Sequence, residues 1–509
     1  HRLRARSGRM GWRNTFEPAS RALASGGRRA RPTRVKGSEW RPLHTTAQFW
    51  VVPRSLFRPE AGKPASGFFY SFLQKGVIGM EVLATKFDAA VVGRNNRAVT
   101  LHGMVHALRD LGGVTFLTLR TREGLVQCVC PRRPEGVREE CAVSVSGLLR
   151  PEPRAPGGAE LAEARFTVLS RPAAPPPVPL SKKSSLSMDT ELSLRPVTLR
   201  APRARAVFRI QAAVCRAFRE FLQEEDFTEI HTPKLIAAAS ESGSEVFKVD
   251  YFDRNAYLAQ SPQFYKQMAM AAGFERIFET GPVFRAEKSY TNKHATEFSG
   301  FDLEFSYITS YKDVMAMEEQ LLKAGLQAVK DAYGDQIQEL FGKEVIVPET
   351  PFPVVKLADL YKGLEEDFGY VVDDSEKGDL TTEAERLSYD WVKKHYNHEF
   401  LFVTDYDAEK RAFYHMRDEN GVPQGYDLIW RGVEITTGAQ REHRYEVLKK
   451  QAEEKGLAED VKFYLEFFQY GCPPHGGFGL GIDRLTMLLV GESIKDAEFL
   501  FRGPNRLTP

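Results

Sequence analysis

Hydrophobic and polar positions change their period along this chain, and the changes mark its elements. From about Val91 the spacing is that of strands. In "AVTLHGMVHALRDLGGVTFLTLRTREGLVQCVC", Val99, Leu101, Gly103 and Val105 alternate up to a turn at "DLGG". Beyond the turn Val114, Phe116 and Thr118 share one face and Thr115, Leu117 and Leu119 the other. A second turn at "REG" leads to Leu125 and Val126. With a further run at "CAVSVSGLL", these short strands and Gly turns predict a small five-stranded barrel over residues 84–175. "SRPAAPPPVPLSKKSS" then has the composition of an extended segment, and residues 176–200 are assigned as a linker.

The period lengthens in the body, assigned to residues 201–509. Val207, Ile210, Val214, Phe218, Phe221 and Leu222 form one helical stripe, and "FTEIHTP" reads as a strand stopped by Pro233. Helices near 311–333 and 381–396 are expected among strand-like "LFVTDY" and "RAFYHM". "GGFGLGIDRLTMLLV" reads as a Gly-rich strand running into a helix. Strands outnumber a simple β-α-β alternation, so the body is expected to be α+β, an antiparallel sheet flanked by helices.

Composition changes this picture in three places. Residues 1–50 carry eleven Arg and one Lys against Glu17 and Glu39, although the whole chain has a formal charge of only +2. Residues 1–79 are set aside as an Arg-rich disordered leader. An upstream or tag-like translated segment ahead of a start near Met80 is preferred to a mitochondrial transit peptide. No run of roughly 18 apolar residues occurs, so no membrane span is expected. The cysteines at 128, 130, 141, 215 and 472 form no C-x-x-C pair and read as reduced core thiols, consistent with a cytoplasmic protein.

Candidate chemistry begins at "FRAEKSYTNKHATEFSGFDLEF", residues 284–305. The strand period sends Phe301, Leu303 and Phe305 to one side and Asp302 and Glu304 to the other. A sheet face carrying carboxylates beside Arg285 has the makings of a binding floor. The later "GGFGLGID" suits a dinucleotide loop only superficially. It follows "CPPH" close to the carboxyl end, where no β-α-β unit can be built after it. Arg484, just behind that glycine run, could grip a phosphate through two parallel bonds.

A helix and strand ending in Pro233, then "FRAE…TEFSGFDLEF", then "GLGIDR" resemble the three ordered motifs of class II aminoacyl-tRNA synthetases. The barrel ahead of them is then similar to the OB-fold anticodon-binding domain of the aspartate, asparagine and lysine subgroup. "ASESGSEVF", "LAQSPQFYKQ", "FDLE" and "EITTGAQREH" resemble the aspartate enzymes of short archaeal type. The resemblance covers residues 84–509. It implies ATP-dependent attachment of L-aspartate to tRNA through aspartyl-adenylate, with Mg2+, by a homodimer formed through the first-motif helix and strand.

By that resemblance Arg285 grips the α-phosphate and the attacking carboxylate. Arg484 holds the γ-phosphate beside the adenine, and Gly481 lies in the same ATP-binding turn. Phe298 stacks on the adenine, Glu287 reads its amino edge, and His294 touches the phosphate tail. Glu434 and Thr437 supply oxygens for magnesium. Glu241, Ser261, Gln263 and Asp302 line the ammonium side of aspartate, and Lys266 and Arg441 clamp its side-chain carboxylate. Asparagine, with one acceptor oxygen and an amide donor, would meet those cations badly.

In the barrel, Phe116 is expected to stack on an anticodon base and Gln127 to read its edge. His106 in the first barrel strand and Pro156 in a later loop match relatives that accept both tRNA(Asp) and tRNA(Asn). The expected enzyme is therefore non-discriminating, with an amidotransferase as partner for the asparagine tRNA. The alternatives are an enzyme restricted to tRNA(Asp), an asparaginyl enzyme and a non-catalytic RNA-binding paralogue. Three segments depart from the family pattern: "LSLRPVTLRAP" before the first motif, "YDAEKRAFYH", and the tail "FRGPNRLTP".

Overall fold

The computed structural model describes residues 97–509, apart from 123, 156–157, 181–185, 238–244 and 289–290. The leader, Pro156 and Glu241 therefore lie outside the described residues.

Five strands close a barrel in the order β1-β2-β3-β5-β4: β1 (Arg97–Asp110), β2 (Thr115–Arg120), β3 (Leu125–Cys130), β4 (Ala142–Pro151) and β5 (Ala159–Ser170). The alternation predicted for residues 114–119 holds. Leu117, Leu119, Val126 and Cys128 are fully buried in the barrel core. Phe116 and Gln127 are half-buried on the outer face. The pairs Phe116–Val129 and Thr118–Gln127 set them diagonally across β2 and β3. β1 carries a bulge between Val105 and Ala107, and His106 is the extra residue.

The linker assignment needs correction, because residues 188–198 are helical: α1 (Met188–Ser193) and α2 (Arg195–Thr198). Ser187 caps the first, and Pro196 sits in the first turn of the second, where a missing N–H costs little. Arg195, almost wholly buried, donates to the carbonyl oxygens of Asp496, Glu498 and Phe499, and Arg506 pairs with Asp189. Arg506 also donates to Ser193 Oγ at 3.1 Å, and Leu192 and Phe501 share one apolar cluster, so two of the three segments that departed from the family pattern pack on each other.

The body is one eight-stranded sheet, built from β6 (Thr228–Glu229), β10 (Arg276–Phe284), β11 (Glu297–Ser306), β12 (Val354–Lys356), β13 (Phe400–Thr404), β14 (Gly425–Trp430), β15 (Val433–Arg441) and β16 (His475–Gly481). Its order is β12-β13-β14-β15-β16-β11-β10-β6. The interior is antiparallel as expected, but both edge pairs, β12 with β13 and β6 with β10, are parallel. A separate small sheet joins β7 (Leu235–Ile236), β8 (Lys248–Tyr251) and β9 (Arg254–Leu258).

One face of the large sheet is covered by α3 (Pro202–Glu224) and α5 (Tyr311–Phe341), the latter running beyond its expected end to a left-handed Gly342. α4 (Gln263–Ala271) lies between β9 and β10 in the chain. The stripe of α3 is buried at Val207, Ile210, Val214, Phe218 and Leu222. Phe218 meets Phe301 edge-on at 5.3 Å, and Phe301 stacks on Phe278 at 5.7 Å. Truncating Phe218 to Ala would cost about 3–5 kcal/mol at such a site.

The remaining helices are α6 (Leu357–Phe368), α7 (Thr382–Tyr396), α8 (Tyr445–Glu454), α9 (Lys462–Phe468), α10 (Ile482–Val490) and α11 (Ile494–Ala497). "RAFYHM" is not a strand. Residues 411–416 are irregular and make a single bridge, His415 to Arg441. Among the described residues no helix is long and apolar enough to cross a membrane.

Candidate active site

Strand parity builds the site. Phe301, Leu303 and Phe305 of β11 enter the core under α3 and α5, which turns Phe298, Gly300, Asp302 and Glu304 to the opposite face. Asp302 lies opposite Gly479 and Glu304 opposite Gly477 on β16. A Cβ on Gly477 would stand 2.1 Å from the Leu303 carbonyl oxygen and 2.5 Å from Glu304 Oε2, and one on Gly479 would stand 2.8 Å from Asp302 Oδ1. The glycine run is therefore the space that two carboxylates occupy, not a phosphate loop.

β15 adds the next wall through a bulge. Glu434 and Thr437 are three residues apart, so a regular strand would send them to opposite faces. The register slips at Ile435, since Thr436 pairs with Leu428 and Glu434 with Ile429, and both side chains reach the same side. Thr437 Oγ1 donates to Glu434 Oε1 at 3.4 Å.

Together these elements enclose a cavity of about 330 Å³. Ser261, Gln263, Arg285, Glu287, His294, Phe298, Asp302, Glu434, Thr437, Arg441, Gly481 and Arg484 all line it. Arg285 lies with its guanidinium 5.4 Å from the Phe298 ring centre. Arg484 Nη1 donates to the Glu434 carbonyl oxygen at 2.8 Å and its Nε to the Lys293 carbonyl oxygen at 3.3 Å. His294 bonds Thr291 through Nδ1. Burial, with Arg484 and Lys293 nearby, holds its pKa below the ordinary imidazole value. Burial and the neighbouring Asp427 push the Glu434 carboxyl up, against the pull of Arg484.

At the other end Arg441, 2 % exposed, donates from Nε to Glu304 Oε1 at 3.0 Å and from Nη2 to the Gly477 carbonyl oxygen at 2.8 Å. Those two bonds fix the guanidinium plane, and among the described residues no hydrogen bond engages Nη1. Lys266 is placed differently from the sequence expectation. Its ammonium is buried on the carboxylate face of the sheet, on Asp302 Oδ1 at 3.1 Å, Glu304 Oε2 at 3.3 Å and the Phe478 carbonyl oxygen at 3.1 Å. It is not among the groups that line the cavity. Burial pushes Glu304 up, but Arg441 and Lys266 outweigh it and leave the carboxyl below its ordinary value. For Asp302 burial wins over Lys266, and the pKa is raised.

Sequence reading missed a second ion pair at the rim. Arg411 makes two bonds to Asp427, at 3.0 and 2.6 Å, with its guanidinium 3.6 Å from the Tyr406 ring centre. Both charges were visible in "EKRAFYH" and "GYDLIW", but nothing in their spacing said that β14 joins them. Lys293, in the same stretch as Arg285, was likewise not singled out. It grips both oxygens of Glu385, whose Oε2 accepts from the Glu434 N–H at 3.2 Å.

Six cationic side chains thus meet four carboxylates around one cavity, the balance expected where anionic reactants are aligned. Residues 187–501 match the family model described as tRNA synthetases class II (D, K and N). The chain belongs to that family. Residues 99–169 of this synthetase match an OB-fold nucleic acid binding domain.

Among its relatives, the Aspartate–tRNA(Asp/Asn) ligase of Methanopyrus kandleri is 42% identical over 82% of this chain and 97% of its own length. That of Thermus thermophilus is 41% identical over 84% and 100%. The Aspartate–tRNA(Asp) ligase of Pyrococcus furiosus is 38% identical over 82% and 97%. The asparaginyl-tRNA synthetase of Pyrococcus horikoshii, complexed with asparaginyl-adenylate, superimposes with a TM-score of 0.75 at 30% identity, over 83% of this chain and 99% of its own.

In the barrel of the synthetase, Gln127 Nε2 donates to Glu160 Oε2 at 3.0 Å, and Arg150 holds the other Glu160 oxygen. One of its two amide N–H donors is thereby engaged. His106 is only 8 % exposed and its Nδ1 lies 2.9 Å from Arg120 Nη1. Arg120 in turn grips both oxygens of Glu140, which also pairs with Arg200 at 2.9 Å.

Proposed function

We propose that this aspartate–tRNA ligase charges both tRNA(Asp) and tRNA(Asn) with L-aspartate. Its product on tRNA(Asn) would be handed to a tRNA-dependent amidotransferase in the cytoplasm. The observation that carries the amino-acid choice is Arg441. Its plane is set by Glu304 and Gly477, and its remaining Nη1 corner is suited to an incoming carboxylate. A side-chain amide would offer that corner one oxygen and turn a second donor toward the surrounding cations.

Both reactants are anions, so the work of the site is alignment. One aspartate α-carboxylate oxygen forms a bond to the α-phosphorus of ATP as the bond to pyrophosphate breaks. The terminal ribose hydroxyl of tRNA then attacks the adenylate carbonyl, and AMP leaves. In this reading Arg285 holds the α-phosphate against Phe298, and Arg484 and His294 hold the phosphate tail. Phe298 takes the adenine face and Glu287 its amino group. Gln263, Ser261 and Asp302 surround the substrate ammonium, a role shared with Glu241. Lys266 acts from beside the two floor carboxylates, setting the charge of Asp302 and Glu304.

Magnesium fits Glu434 and Thr437. One carboxylate and one hydroxyl on the same bulged strand would hold such a hard, oxygen-preferring cation. A carboxyl whose proton affinity is raised by burial beside Asp427 is also one that a cation would relieve. When bound, the ion supplies positive charge to the ATP phosphates.

The homodimer through α3 and the strand after it belongs to the same proposal. One observation favours the narrower reading, charging of tRNA(Asp) alone. His106 is buried against Arg120, so it can influence a base only by shaping the barrel surface. Both classes occur among relatives of similar identity. The test is side-by-side charging of the two purified tRNAs with labelled aspartate. Comparable rates support the proposal, and charging of tRNA(Asp) alone overturns it. Replacing His106 by a bulky aromatic together with Pro156→Lys should then suppress charging of tRNA(Asn). Unchanged charging would remove those two residues as determinants.

A further inference from the structure

Behind the cavity lies a chain of buried hydrogen bonds that the reaction above does not use. His475, 0 % exposed at the start of β16, places Nδ1 2.8 Å from the Pro473 carbonyl oxygen and Nε2 3.2 Å from Gln267 Nε2. Gln267, also 0 % exposed, accepts at Oε1 from Gln263 Nε2 at 2.8 Å. Gln263 then lines the cavity.

The polarity of this chain is fixed at its far end. A backbone carbonyl can only accept, so Nδ1 of His475 carries the proton. Neutral imidazole with that proton has Nε2 as an acceptor, so the end of Gln267 that faces it is the NH2. The other end of Gln267 is therefore oxygen, and Gln263 must meet it with its own NH2. With its NH2 turned to Gln267, the acceptor that the relay leaves to Gln263 is Oε1.

We propose that His475 and Gln267 are positioning residues that hold the Gln263 amide with its oxygen toward the cavity, where it accepts from the α-ammonium of the amino-acid substrate. The proposal rests on the amino-acid-activating reading above. Without the relay the amide can turn over and present NH2, a donor facing an ammonium. The surroundings of His475 keep it neutral: burial outweighs Glu304, and Arg441 and His443 also disfavour a charge, so its pKa falls to about 4. Cys472 at 3.6 Å and the Phe468 ring at 6.2 Å complete its shell, and Lys266 neutralises Glu304 from the other side.

The test is aspartate-dependent ATP–pyrophosphate exchange by the full chain carrying Gln267→Leu or Gln267→Glu. Leu breaks the relay at similar volume, and the KM for aspartate should rise about tenfold or more, with the KM for ATP unchanged. Glu keeps an acceptor for Gln263 Nε2, draws a proton onto His475 Nε2, and should restore the aspartate KM to within about threefold. Succinate, which lacks the ammonium, should inhibit wild type and Gln267→Leu equally.

An unchanged aspartate KM in Gln267→Leu, a parallel rise in the ATP KM, or no rescue by Glu overturns the proposal. The relay also has a signature independent of activity. In 15N-histidine NMR at pH 7, the resonance lost in His475→Phe should be the neutral Nδ1–H form. An Nε2–H form or an imidazolium overturns the proposal. If the wild type shows no exchange at all, the activity reading falls, and the tautomer alone decides the relay.

Discussion

Replacing Arg441 by Lys separates recognition of the aspartate side chain from binding of ATP. The guanidinium is held in two directions, by Glu304 through Nε and by the Gly477 carbonyl through Nη2, and the proposal gives Nη1 to the substrate. Lysine keeps the charge but carries it on one nitrogen at the end of a flexible stem, which cannot reproduce the planar fork. If that nitrogen stays with Glu304, a fully buried carboxylate, the cavity loses one charge-assisted hydrogen bond. Such a bond is worth about 1.5–3 kcal/mol, or roughly a 10- to 150-fold rise in the KM for aspartate. ATP should be affected less than about twofold, because Arg484, one of its expected cations, is held by the Lys293 and Glu434 carbonyl oxygens and shares no partner with Arg441. Aspartate-dependent pyrophosphate exchange, with each substrate varied in turn, measures both constants. An unchanged aspartate KM, or an ATP KM that rises in step, would refute the assignment of Nη1 to the substrate carboxylate.

Other expectations follow from the same geometry. Gly477→Ala should lower stability by about 3 kcal/mol or more in chemical denaturation, because its Cβ meets a backbone carbonyl that cannot move away. Gly479→Ala, which meets only the Asp302 side chain, should cost clearly less, and equal costs would contradict the packing described. Glu318 is buried under Tyr426, and desolvation pushes its pKa to about 8. The folded chain therefore holds a proton that the unfolded chain releases near the ordinary value. This contribution is complete below that value and is lost as pH rises toward 8. The stability advantage of Glu318→Gln over wild type should accordingly grow between about pH 4.5 and 8, and a flat difference would refute a neutral Glu318. Phe116→Ala should weaken tRNA charging by roughly 5- to 150-fold, the worth of one base stack, while leaving tRNA-independent exchange unchanged. Loss of both activities together would point to a misfolded barrel instead.

What the sequence revealed and what it hid follow from the range of the forces involved. The alternation of Phe301, Leu303 and Phe305 with Asp302 and Glu304 is local, so the charged floor and its apolar underside could be read without coordinates. The stripe of α3 and the strand-to-helix step at Gly481 were legible for the same reason. Two helices at 188–198 were not, because a Pro-rich approach masks six- and four-residue turns that are held by Arg195 reaching the carbonyls at 496–499. The burial of Lys266 against the floor carboxylates and the Arg411–Asp427 pair depend on strand order, which no local period records. The bulge at Ile435 is a middle case. The three-residue spacing of Glu434 and Thr437 is at odds with a shared face on a regular strand, but it was not used, and the register of β14 with β15 supplies the slip.

The most direct test of the account is exchange of labelled pyrophosphate into ATP by the purified chain, with aspartate or asparagine supplied singly and without tRNA. A cavity whose far end is Arg441 backed by Glu304 should support exchange with aspartate and essentially none with asparagine. Exchange driven by asparagine, as the name of the structurally similar Pyrococcus horikoshii enzyme would suggest for that protein, would contradict the account at its centre.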